Sequence, residues 1–144
     1  MRFGLVVFVT LIFSAPVIAG EYCFEEAAQE YEVPAALLWA IAKVESDFDP
    51  SAYNSNGVSS FDVGVMQINS SWRGTLGEPL WQSLGDVCTN IKVGAWVLSD
   101  CLQRYGLTYR GIGCYNALSE NKRVKYAEKV IAELRRIEEG VYDN

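Results

Sequence analysis

Glu45 stands where a charged side chain is expensive. In "LLWAIAKVES", an advance of about 100° per residue puts Leu37, Leu38, Ile41, Ala42 and Val44 on one arc with Glu45 in its middle. Trp39, Lys43 and Asp47 fall on the other side. A carboxyl in such a stripe raises its pKa until it stays protonated near neutral pH. Protonating a glycosidic oxygen calls for an acid of that kind at the wall of a cleft. The stretch that follows, "SDFDPSAYNSNGVSSFD", supplies amides, hydroxyls and aromatic rings suited to holding a sugar. On position alone, the alternative is a Glu45 that turns into solvent at the helix end or pairs with a cation.

Ordinary glycosidases use two acids at a set separation. Asp47 falls on the far face of the helix, and Asp49 before Pro50 reads as a turn residue. Asp62 alone among the nearby acids is placed to return to the cleft. The chain has no histidine, which excludes a serine-histidine nucleophile and a zinc site of the usual kind. Neither a metal nor a cofactor is expected.

These side chains need a frame, and the sequence predicts a mainly α single domain. A helix over about residues 23–31 is followed by one opening at Pro34 and running through Glu45. An irregular central loop, with room for a small hairpin, leads to "VGVMQI", a short buried segment that reads as strand or helix entry. "GTLGEPLWQSLGD" reads as loop or broken helix. Val87, Ile91, Gly94, Ala95, Leu98 and Leu102 mark a long helix from Asp86 to a stop at Gly106. Thr108 caps a shorter helix. Val124, Ala127, Val130, Ile131, Leu134 and Ile137 mark the apolar face of a last one.

The first 19 residues carry Arg2, an apolar run, Pro16, and Val17 and Ala19 at the positions a signal peptidase reads, so they are expected to be a signal peptide. An uncleaved anchor is the alternative, for which the apolar run before Pro16 is short. Residues 20–144 then form the working domain. Export gives Cys23, Cys88, Cys101 and Cys114 a meaning as two disulfides. Of three possible pairings, Cys23 with Cys88 and Cys101 with Cys114 is favoured, because the second pair would join adjacent helices across "RYGLTYRG". A thiol catalyst is disfavoured, with no histidine to activate it. The net charge of −6 argues against nucleic acid and gives no pull toward anionic wall polymers or membranes.

In order and spacing, "LLWAIAKVES", "NSNGVSSFDVGVMQINSSW", "DVCTNIKVGAWVLSDCLQRYG" and "GIGCYNA" resemble the soluble lytic transglycosylase family, with its goose-lysozyme-like fold. The resemblance runs over about residues 23–137, and the subgroup is the small exported enzymes of type III secretion, conjugation and type IV pilus systems. It implies cleavage of the β-1,4 bond between N-acetylmuramic acid and N-acetylglucosamine in peptidoglycan, without water. Glu45 is then the lone catalytic residue, acid and base in turn. Ser46, Ser60 (or its neighbour Ser59), Met66, Gln67, Tyr115 and Asn116 match substrate-site positions, with Tyr115 near Glu45 to orient it. Met66 as core and Asn69 as a helix cap are the structural alternatives. Val65 and Cys114 depart from the leucine and alanine usual in these motifs. The implied partners are peptidoglycan glycan strands and a secretion, conjugation or pilus complex. The expected setting is the periplasm, the expected state a monomer, and no membrane partner is expected after signal cleavage. A hydrolytic lysozyme using Glu45 with Asp62, and a silent wall-binding assembly factor, are the competing functions.

Overall fold

The structure is a computed structural model that describes residues 22–141, so the expected signal peptide at 1–19 lies outside the described residues. Seven helices are found there: α1 (Phe24–Tyr31), α2 (Ala35–Ser46), α3 (Arg73–Leu76), α4 (Glu78–Gln82), α5 (Val87–Tyr105), α6 (Tyr109–Cys114) and α7 (Glu120–Glu138). A small antiparallel sheet, β1 (Tyr53–Ser55), β2 (Phe61–Val63) and β3 (Ile68–Asn69), fills the stretch between α2 and α3. This is the mainly helical architecture with a small hairpin that the sequence predicts, as the resemblance to a lysozyme-like family also implies. No helix among the described residues is long and apolar enough to cross a membrane.

The core is built where the apolar stripes meet. Leu37, Leu38, Ile41 and Ala42 of α2 are buried with Ile91, Ala95 and Leu98 of α5 and with Tyr126, Ala127 and Val130 of α7. Each buried leucine, isoleucine or valine contributes about 1.5–3 kcal/mol. Pro34 precedes α2 as its extended N-cap instead of opening its first turn. Asp86 and Thr108 cap α5 and α6 by accepting from the amides of Thr89 and Gly111.

On α7 the buried face is rotated from the expected one. Val124 is exposed, while Arg123 and Tyr126 point inward. Arg123 Nε donates to the Ala117 carbonyl at 2.8 Å, which gives a buried guanidinium the partner it needs. Polar groups with such partners are invisible to a purely apolar periodicity. Gly113 is the complement of this packing, because a Cβ there would lie 2.2 Å from the Arg123 carbonyl oxygen. α6 and α7 therefore pack backbone to backbone just behind the Tyr115 loop.

"VGVMQI" is neither a long strand nor the start of a helix. Val63 closes β2, residues 64–67 form a buried turn, and Ile68 opens β3. Asn90 of α5, 1% exposed, holds the turn in place. Its Oδ1 accepts from the Met66 amide at 2.8 Å, and its Nδ2 donates to the carbonyls of Val63 and Leu84 at 3.1 Å each. "GTLGEPLWQSLGD" is a broken helix, as the glycines and proline require: α3, α4 and a 3₁₀ turn at Ser83–Gly85.

Two disulfides close the frame in the favoured pairing, Cys23–Cys88 and Cys101–Cys114, with Cα atoms 5.5 and 5.7 Å apart. The first ties the start of α1 to α5, and the second ties α5 to the end of α6.

Candidate active site

Glu45 lies one residue before the end of α2, where the chain makes an abrupt exit. Asp47 and Phe48 both take left-handed backbone conformations, φ 54° and 64°, at a cost of about 1 kcal/mol each. Phe48 offsets this by packing among Trp39, Tyr22 and Phe24, and its carbonyl accepts from the Tyr22 hydroxyl at 2.9 Å. The exit leaves Glu45 at the wall of a cavity of about 470 Å³ that Asn56, Asp62, Gln67, Trp72 and Tyr115 also line.

Burial pushes the Glu45 carboxyl up from 4.5 to about 7. The negative charge of Asp62 adds to the rise, while hydrogen bonds from Tyr126 and Asn116 and the charge of Lys129 oppose it. Glu45 is therefore poised to hold or release a proton near neutral pH. The Tyr126 hydroxyl donates to Glu45 Oε1 at 2.5 Å. Burial, together with the Glu45 charge, also raises Tyr126 well above the ordinary phenol range, so it stays a neutral donor.

Tyr115, which the resemblance places near Glu45, lines the same cavity, and its pKa is raised by burial and in part by the Glu45 charge, while the direct hydrogen bond to Glu45 comes from Tyr126. The Tyr115 hydroxyl donates instead to the Met66 carbonyl at 2.8 Å, and its ring lies parallel to that of Tyr126, centroids 6.4 Å apart. Tyr115 supports the site through that ring and through the turn. Tyr126 lies off the apolar face that the sequence predicts for the last helix, Val124 to Ile137, so nothing in that pattern singles it out. The available signal was the aromatic residue directly before Ala127, whose burial shifts the inward face by one position. Trp72, at the end of "QINSSW", also lines the cavity, packed edge-on against Trp96 at 5.2 Å.

The other expected residues are placed variously. Asn116 lines the cavity with Glu45 and opposes the rise in its pKa. Gln67 reaches the cavity from a left-handed backbone, φ 48°, with its amide anchored: Oε1 accepts from Asn54 at 2.6 Å, and Nε2 donates to the carbonyls of Gly64 and Ala52. Met66 is fully buried in the core. Ser46 donates to the Val65 carbonyl at 2.8 Å, fastening the end of α2 to the buried turn. The Ser60 carbonyl accepts from the Asn56 amide at 2.8 Å inside the hairpin. Asn69 caps the 3₁₀ turn at Ser70–Trp72.

Among the acids, Asp47 pairs with Lys43 on the far face and Asp49 closes a turn onto Ser51. Asp62 does return to the cavity, its two oxygens accepting from Asn56 and Asn69 at 2.7 Å each. The arrangement holds one tunable acid, one fixed carboxylate and an aromatic floor. It suits proton transfer to and from a sugar.

The model described as the transglycosylase SLT domain matches residues 22–133, a span that contains every residue of this site. Over 124 residues the chain is 36% identical to invasion protein IagB of Salmonella typhi, covering 81% of this chain and 78% of that protein. It is 34% identical over 138 residues to protein IpgF of Shigella flexneri, with 91% and 90% covered. Over an aligned length of 154 it is 29% identical to a peptidoglycan-binding-like protein of Escherichia coli O157:H7, with 96% and 92% covered. The cleft, the helical frame around it and these matches agree, and the chain belongs to the transglycosylase SLT domain family.

Proposed function

We propose that the protein is a peptidoglycan lytic transglycosylase. It cleaves the β-1,4 bond from N-acetylmuramic acid to N-acetylglucosamine and leaves a 1,6-anhydromuramic end. Glu45 gives its proton to the glycosidic oxygen, the C1–O bond breaks, and the glucosamine side departs with a new 4-hydroxyl. The acetamido oxygen of the muramic unit supports the positive charge at C1. Glu45, now a carboxylate, takes the proton from the 6-hydroxyl while O6 bonds to C1. No water is consumed, and Glu45 ends as it began.

The observation that carries this reading is one acid raised to about 7 by burial and held by Tyr126 at the wall of a polar cavity. Such a group serves as acid and base in turn without a large energetic penalty in either role. Hydrolysis is the second reading, favoured by Asp62 lining the same cavity. Mass spectrometry of the muropeptides released from purified sacculi separates the two. Anhydro ends lighter by one water support transglycosylation, and reducing ends overturn it. If Glu45→Gln releases fragments as fast as the parent, Glu45 is not the catalytic acid, and a parent that releases none is a wall-binding factor.

The biological role proposed is local opening of the wall during assembly of a secretion, conjugation or pilus apparatus, supported by a relative named an invasion protein. Residues 1–19 direct export and 20–144 act in the periplasm, a setting in which the two disulfides persist. Detection of the mature chain in periplasmic extracts, beginning at residue 20, checks this.

A further inference from the structure

The small sheet has a second side. Side chains alternate along β2, so that Asp62 lines the catalytic cavity while Phe61 and Val63, with Tyr53 of β1, line another cavity of about 500 Å³. The Tyr53 ring, 61% exposed, stacks on Phe61 with centroids 5.3 Å apart, and Phe61 meets Trp81 of α4 edge-on at 6.0 Å. Arg73 and Glu78 stand in the same wall. The guanidinium donates to the carboxylate twice, at 2.8 and 2.6 Å, and Gln82 adds a third hydrogen bond at 3.0 Å.

From this we infer that the second cavity binds a neutral sugar ring, an N-acetylhexosamine unit of a glycan strand. The apolar C–H face of the ring stacks on Tyr53 and Trp81. Its hydroxyl or acetamido groups meet the Arg73–Glu78–Gln82 cluster, where only two of the five arginine donors go to Glu78.

Charge selects this occupant. The Arg73–Glu78 pair sums to zero, so an anion meets the carboxylate and a cation meets the guanidinium. A neutral ligand with one apolar face and several hydroxyls meets no such opposition and matches both halves of the cavity. The chain as a whole carries −6 and has no electrostatic hold on an anionic wall. Stacking supplies a hold that charge does not. Because the two cavities share strand β2, a glycan strand gripped at Tyr53 keeps its other units near the Glu45 cleft at raised effective concentration. This inference rests on the carbohydrate reading of the catalytic cavity and extends it to a site outside the chemistry.

The test is a two-dimensional NMR titration of full-length Glu45→Gln protein, which does not turn over, with an N-acetylglucosamine tetramer. Shifts at the Trp81 indole N–H and the Tyr53 and Val63 amides are expected, and Tyr53→Ala should weaken the affinity they report by about fivefold. Tyr53 is exposed, so this variant spares the core, and Trp81→Phe keeps a ring in place as a second check. On sacculi, Tyr53→Ala should raise the half-saturating substrate concentration and leave turnover at saturation unchanged. Silence at Trp81 and Tyr53, or the same shifts with a sugar-free stem peptide, overturns the site. Anhydro products without Trp81 shifts would remove this site and leave the reaction standing. Trp81 shifts without anhydro products would do the reverse.

Discussion

The cavity that holds Glu45 has two walls built on different physics. The helical wall, α2 and α7, keeps an acid out of water and raises its pKa to about 7. The sheet wall, β1 to β3, holds Asp62 between two side-chain amides and anchors Gln67 from three sides. One wall makes a proton labile, and the other makes polar groups rigid. Proton transfer needs the first and sugar placement needs the second. In the proposed reaction, chemistry and placement thus fall to different secondary structures, and each can be disturbed separately.

The strongest disturbance is Glu45→Gln, which removes the proton and keeps the shape. Activity on sacculi should fall by about 10³-fold or more. The same change should stabilise the fold, because Glu45 resists ionisation there. Its folded pKa lies above the unfolded value, so the folded state binds the extra proton between pH 4.5 and about 7. The parent therefore loses stability as pH rises through that window, and the variant does not. At pH 8 the variant should be more stable by about 2–3 kcal/mol, while at pH 4 the two should match. Urea unfolding at both pH values measures this, and equal stability at pH 8 would show that Glu45 is not desolvated.

Next in size is loss of the bridge beside the site. The loop closed by Cys101 and Cys114, 13 positions apart, contributes about 3 kcal/mol in a chain-entropy account, against about 4 for the loop closed by Cys23 and Cys88, 65 positions apart. Activity should rank the other way. Cys114 lines the cavity and precedes Tyr115, so Cys101→Ser with Cys114→Ser should lower turnover several-fold at a temperature where the protein remains folded. Cys23→Ser with Cys88→Ser should cost more stability and little turnover under the same condition. Thermal unfolding alongside fragment release tests both, and equal turnover losses would break the distinction.

The helical frame was legible because its signals are local and apolar. The helix start at Asp86, the Thr108 cap, the Gly106 stop and the α2 stripe all report on neighbours within a few residues. The acid in the stripe was legible for the same reason, as an exception to a regular pattern. Tyr126 was not, since its value lies in a contact with Glu45 across 81 positions of chain. Asn90 was missed likewise, because a buried amide that ties Val63, Met66 and Leu84 leaves no trace in periodicity. Ser46 and Met66 fit a substrate-binding pattern by sequence, yet one hydroxyl and one side chain are committed to holding the turn that carries Gln67. Neighbouring positions in a motif can thus serve the cleft and its scaffold alternately.

The direct comparison of the two walls is a pair of near-isosteric changes read through pH. Tyr126→Phe removes a hydrogen bond that lowers the Glu45 pKa, so the alkaline limb of activity, near pH 7 in the parent, should move to higher pH. Turnover should fall by about tenfold as a charge-assisted hydrogen bond is lost. Asp62→Asn acts from the opposite wall and with the opposite sign. It removes a negative charge that raises the Glu45 pKa, so the limb should move below about 7. Its effect on turnover at low pH should be the smallest of the set, about threefold or less, because Glu45 keeps its proton there. Profiles of fragment release from pH 4 to 9 distinguish the outcomes. A loss for Asp62→Asn as large as that for Glu45→Gln would make Asp62 a second catalytic acid and restore the hydrolytic reading. Limbs that move in opposite directions leave Glu45 as the single titrating group, with one wall holding its proton and the other tuning it across the cavity.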